Sequence, residues 1–195
     1  MPSLSRKKQA NQLAVIAMFF ATMLVIHFMT SFIFNVIPFP IKPTLVHVPV
    51  IIASIIYGPR IGGILGFLMG IISVIANTFV LLPTSYLFSP FVPNGSFLSL
   101  IIAIVPRVLI GITPYFVYKW LHHKTGLIIA GAIGSMTNTF FVLGGIFILF
   151  ANVYSGDIQA MLAVVFGGNA IAEMLISAML TLAIVPSLQK LAKKA

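Results

Sequence analysis

At 195 residues, 60% hydrophobic and 7% charged, with a mean hydropathy of +1.15, the chain has too few polar side chains to cover a soluble domain of its size. The composition is that of an integral all-α membrane protein, and at about 30 residues per span plus loop it leaves room for six spans and no separate soluble domain. The net charge of +9 suggests nucleic acid at first, but no basic face with interleaved aromatics exists, and the absence of cysteine excludes disulfides and thiolate metal sites.

Met1 to Ala10 is polar and basic, and the apolar run that follows is span-length with no small-residue cleavage site, which predicts a retained first span over Gln12 to Phe34. The connection Ile37-Pro38-Phe39-Pro40-Ile41-Lys42-Pro43 is excluded from regular helix by its prolines. A short second span, Thr44 to Tyr57, carries His47 and Pro49, and the turn Gly58-Pro59-Arg60 leads to a third, Ile61 to Leu82. In that third span Gly62, Gly63, Gly66 and Gly70 permit close helix packing. A loop from Pro83 to Phe97 precedes the fourth span, Leu98 to Leu121, with Pro106-Arg107 and Pro114 inside it. The fifth span is expected over Thr125 to Asn152 and the sixth over Ala160 to Leu188.

Six spans put both termini on one side, together with Arg6, Lys7, Lys8, Arg60, Lys119, Lys124, Lys190, Lys193 and Lys194, nine of the eleven basic residues. Only Lys42 falls in the opposite loops, so both termini are expected in the cytoplasm and residues 1–195 form one transmembrane domain. An internal echo, Asn77-Thr78-Phe79-Val80-Leu81 against Asn138-Thr139-Phe140-Phe141-Val142-Leu143, would make these segments counterparts if the chain were a repeat.

Inside the spans, charge is confined to Arg107 and Glu173. An ionisable group deep in a bilayer costs about 2.5–3.5 kcal/mol on the mildest scale, which marks both as functional or tightly paired. At 1.5 Å per residue, Arg107 and Asn169 lie about 14 Å from the outer ends, Asn138 and Glu173 about 20 Å, and Asn77 nearer the surface. All five are placed to face one cavity open to the outside, with Asn169 and Glu173 sharing a helix face. Pro106 removes a backbone hydrogen bond and leaves a carbonyl free for a ligand. Two alternatives stay open: Arg107 and Glu173 pair with each other while the asparagines join helices, or the guanidinium meets a carboxylate or phosphate. His47, expected at the interface or in a lid, and Phe39 are taken with these five as substrate-binding residues. The histidines lack metal-ligand spacing.

Enzyme chemistry has little to work with. Asp157, in an outer loop, and Glu173 are the only carboxylate side chains, and no nucleophile elbow or phosphate-binding loop exists. Any energy from nucleotide hydrolysis must come from other subunits. A stand-alone channel or facilitator would line both halves of its spans with polar residues, whereas here they concentrate centrally and outward.

Several stretches resemble a known family. These are Ala17-Met18-Phe19-Phe20-Ala21, Lys42 to Ile51, Tyr57-Gly58-Pro59-Arg60-Ile61-Gly62-Gly63, Phe88-Ser89-Pro90-Phe91, Val105-Pro106-Arg107 and Gly134-Ser135-Met136-Thr137-Asn138-Thr139. Over nearly its whole length the chain is similar to the substrate-binding (S) components of bacterial energy-coupling factor (ECF) vitamin transporters, pantothenate-type members in particular. The resemblance implies a multi-pass bacterial cell-membrane protein with a vitamin site near the outer face, closed by the outer loops. It also implies a partnership with a transmembrane coupling subunit and two ATPase subunits; no cofactor is expected in this chain. Ala17 and Ala21 match the family's small-xxx-small motif, which docks on the coupling subunit; ordinary helix packing is the alternative.

One arginine, several asparagines and an apolar wall suit pantothenate, with its carboxylate, amide, two hydroxyls and branched apolar centre. A flat ligand, riboflavin or a pyridoxine- or hydroxymethylpyrimidine-type molecule, would need stacking partners. Phe39, Phe79, Phe91 and Phe140 are the candidates, since Trp120 lies at the cytoplasmic end.

Overall fold

The computed structural model describes residues 2–36, 44–82, 84–150 and 156–192. Among these residues seven α-helices follow one another: α1 (Pro2–Val36), α2 (His47–Tyr57), α3 (Pro59–Phe79), α4 (Phe97–Ile110), α5 (Thr113–Leu121), α6 (Lys124–Leu149) and α7 (Gly156–Ala192). A 3₁₀ turn, Ser85–Leu87, lies between α3 and α4, and no strand occurs among the described residues. Five stretches of the described residues are long and apolar enough to cross a membrane: Gln9–Ile33, Pro59–Phe79, Phe97–Leu121, Lys124–Leu149 and Gly168–Leu191. The fourth of these contains both α4 and α5, so the expected fourth span is a helix broken after Ile110.

The remaining helix, α2, is the shortest of the apolar segments and the most enclosed. His47 through Ile55 are all buried, and α2 packs on α1, α3, α5, α6 and α7. Its Pro49 is tolerated because it lies in the first turn, where backbone N–H groups have no intrahelical acceptor. Gly58, with φ of +94°, makes the sharp reversal into α3, and Pro59 starts that helix.

Close backbone approach sets the α3–α4 pairing. Gly62, Gly66 and Gly70 face Gly111, Arg107 and Ala103 in antiparallel order, and a methyl group on Gly66 would collide with the Arg107 carbonyl. The core has two parts. A large cluster built around α2, with Met23, Ile51, Leu65 and Val185, occupies one, while Leu87, Phe88, Ile102, Val142 and Ile146 form a second under the 3₁₀ turn. Between them lies a cavity.

The turn that covers it is held by buried serines. Ser85 Oγ accepts from Leu82 N at 2.9 Å and donates to the Val80 carbonyl at 3.1 Å; Ser99 Oγ donates to the Tyr86 carbonyl at 2.6 Å. Ser89 Oγ lies 2.6 Å from Thr78 Oγ1 and accepts from Phe91 N at 3.2 Å. The predicted Pro83–Phe97 loop is therefore a pinned shelf over most of its length.

Candidate functional site

The cavity measures about 300 Å³ and draws its walls from α1, α3, α4, α6, α7 and the segments around Thr44 and Phe88. Met69, Ile72, Val46 and Val142 supply apolar surface; His27, Ser73, Asn77, Arg107, Asn138, Thr139, Asn169 and Glu173 supply polar groups. Five expected site residues, Asn77, Arg107, Asn138, Asn169 and Glu173, thus meet at one place.

Arg107, 9% exposed, has only neutral hydrogen-bond partners among the described residues. Nη1 donates to the Ile102 carbonyl at 2.7 Å, Nη2 reaches Ser73 Oγ at 3.5 Å, and Nε is buried without a partner. Its Cζ lies 5.2 Å from the centroid of the Phe88 ring. The expectation that Pro106 leaves a carbonyl for the ligand is corrected here. The freed carbonyl, Ile102 O, is four residues before the proline and is taken by Arg107 itself.

Glu173, 6% exposed, attracts Arg107 electrostatically, but among the described residues no hydrogen bond joins the two. Its Oε1 accepts from Thr44 N and from Thr44 Oγ1, each at 2.7 Å, which ties the chain entering α2 to α7. Asn77 gives Nδ2 to the Ser73 carbonyl at 2.8 Å, and its Oδ1 lies 3.4 Å from Ser85 Oγ as an alternative acceptor to the Val80 carbonyl, whereas Asn138 Oδ1 is buried with no partner. Asn77 stands in the last turn of α3 and Asn138 in the middle of α6, so the sequence echo joins positions of different height.

His47 lies outside the cavity. It is 1% exposed, and its Nε2 lies 2.7 Å from Ser177 Oγ, a tie between α2 and α7 rather than an interfacial or lid contact. Phe39 falls outside the described residues. Phe79, Phe91 and Phe140 are 83%, 75% and 72% exposed and do not line the cavity, whose aromatic rings come from Phe88 and His27. Thr44, Ser73, His27 and Phe88 are wall residues that sequence reasoning passed over. Among the described residues no cluster of His, Asp or Glu suits a metal. On α1, Ala17 and Ala21 are exposed, away from Phe19 and Met23, which face the body of the molecule.

A bundle of membrane-length helices around a small cavity, apolar with converging polar groups, defines a membrane protein built to hold a small polar solute. The family described as ECF transporter, substrate-specific component, matches residues 11–189, and the chain belongs to it. It is 45% identical over 190 residues, 95% of this chain and 97% of the relative, to the pantothenic acid transporter PanT of Lactococcus lactis subsp. cremoris (strain MG1363). As the substrate-specific part of a transporter, the chain selects a solute and is not an enzyme.

Proposed function

We propose that this chain is the pantothenate-binding S component of an ECF-type importer in a bacterial cell membrane. It works with a transmembrane coupling subunit and two ATPase subunits, which supply the energy. The observation that carries the ligand reading is a buried guanidinium that has no acidic hydrogen-bond partner among the described residues, set in a cavity whose other polar groups are mostly neutral. A carboxylate at one end of the ligand neutralises Arg107, and hydroxyls at the other end meet Asn169 and Glu173. The volume of about 300 Å³ is at the small end of ligand pockets, which span roughly 300–1,000 Å³, and suits a compact chain molecule better than a flavin. Exposure of Phe79, Phe91 and Phe140 takes three of the four stacking partners proposed for a flat ligand away from the cavity. The name and near-complete coverage of the Lactococcus relative point the same way.

In this reading α2 is a sixth, short span and both termini face the cytoplasm, because the basic loops then share one side. The chain has no cysteine, so single cysteines placed at Ser96 and His123 can be probed with a membrane-impermeant thiol reagent. Position 96 should react in intact cells and position 123 only after permeabilisation; the reverse pattern inverts the topology.

Titration of the purified chain with pantothenate tests the site. Arg107→Gln should weaken binding by about 100-fold or more, the scale of losing charge-assisted hydrogen bonds in a buried site, while the protein stays folded. Arg107→Lys should also weaken it, because a point charge cannot keep both the Ile102 anchor and the ligand. Normal binding by Arg107→Gln would make the residue structural.

A further inference from the structure

In α4 the Ile102 carbonyl would ordinarily accept the N–H of residue 106, but residue 106 is proline and has none. A buried carbonyl needs a donor. Arg107, the next residue, folds its side chain back and supplies Nη1 at 2.7 Å. The Phe88 ring, 7% exposed and presented by the serine-pinned shelf, covers the guanidinium with its centroid 5.2 Å from Cζ. Nε is enclosed without a partner and Nη2 has only the long 3.5 Å contact to Ser73, so the end of the guanidinium carrying Nη2 is left for a ligand.

We infer that Pro106 and Phe88 are positioning residues for ligand binding: the proline frees a carbonyl that anchors Nη1, and the ring holds the guanidinium so that Nη2 meets the ligand's carboxylate. This rests on the reading of Arg107 as the anion-binding group. It assigns Pro106 a role other than bending a helix. The bond that the proline deletes from the backbone is remade by the side chain beside it, and a flexible arginine becomes an oriented one before the ligand arrives. Pre-ordering of this kind spares the ligand the cost of immobilising a long side chain.

The test compares pantothenate with its neutral alcohol analogue, in which the carboxylate is replaced by a hydroxymethyl group, by titration of the purified full chain. Wild type should favour the acid strongly. Pro106→Ala restores an N–H to Ile102 O and releases Nη1; the thermal midpoint of the ligand-free protein should hold or rise, since alanine is the better helix former. Its affinity for pantothenate should fall by about 5- to 20-fold, the scale of one buried hydrogen bond, with affinity for the alcohol unchanged. Phe88→Leu, which also trims the cavity wall, should lose clearly more affinity for the acid than for the alcohol and serves independently if Pro106→Ala does not fold.

Unchanged acid binding in both folded variants overturns the inference. So does an equal loss for acid and alcohol, which marks general damage to the cavity. Wild type that ignores pantothenate, or Arg107→Gln that binds it normally, overturns the functional reading and the inference with it. Those two results are seen without either positioning variant, so the failures are distinguishable.

Discussion

Asn77 and Asn138 reach the same cavity, yet the protein has used one of them far more than the other. Asn77 is held by the Ser73 carbonyl and Ser85, so part of its role is to secure the end of α3 under the shelf. Asn138 has an Oδ1 with no partner, which makes it the amide with most to gain from a ligand. Asn138→Ala and Asn169→Ala are each expected to raise the dissociation constant for pantothenate by roughly 5- to 100-fold, from about 1–3 kcal/mol per lost buried partner. Asn77→Ala should fall at the low end of that range and also lower the melting temperature. Titration and thermal scans of the three variants check this order, and normal binding by all three would reduce them to helix-packing contacts. These residues were legible in the sequence because an amide, a guanidinium or a carboxylate stands out in an apolar run. Thr44, Ser73 and Phe88 gave no such contrast, since hydroxyls and phenyl rings are ordinary in membrane helices and their loops. His47 stood out for the same reason as Arg107 but proved to be a buried tie to Ser177, because polarity alone does not say whether a partner is protein or ligand.

The pairing of α3 with α4 shows how an element places a side chain. Gly66 lies against the backbone of Arg107, so any bulk added there displaces the start of the guanidinium's own tether. Gly66→Leu is expected to lower the melting temperature and to weaken pantothenate binding by at least about tenfold, with Gly66→Ala intermediate, on the 1–3 kcal/mol or so typical of overpacking. Retained affinity in Gly66→Leu would mean that α4 can retreat without moving the site. Helix length and glycine spacing were readable because about 20 apolar residues are needed to cross a bilayer and small residues mark close crossings. The break between Ile110 and Thr113 was signalled only by Gly111 and Pro114, which membrane helices often carry without breaking. The ordered shelf around Ser85, Ser89 and Ser99 was not readable, because its hydrogen bonds depend on contacts between residues distant along the chain or out of any helical period.

Across the whole molecule α1 is the least embedded helix, packing chiefly on α2 and α3 and exposing a stripe through Ala17, Ala21, Val25, Phe28 and Phe32. Small residues in such a stripe let another helix come close, and a Trp at both Ala17 and Ala21 would hold it off. The double variant should bind pantothenate normally yet lose ATP-driven uptake and co-purification with the coupling subunit; full uptake would remove this face as the docking surface. Uptake by the chain in vesicles without any ATPase would instead favour a facilitator. The enclosed α2 bears on how the protein is made. Its 11 residues extend about 16 Å, roughly half of a hydrocarbon core near 30 Å, so α2 has neither the length nor the lipid-facing surface to partition into a bilayer as it leaves the ribosome. It should enter only as a hairpin with α3, folded over at Gly58-Pro59, and reach its final depth once α6 and α7 close around it. Nascent chains truncated after Tyr57 should therefore leave α2 accessible to water-borne labels, and the full chain should hide it, which makes the ribosome's last helices a condition for burying one of its first.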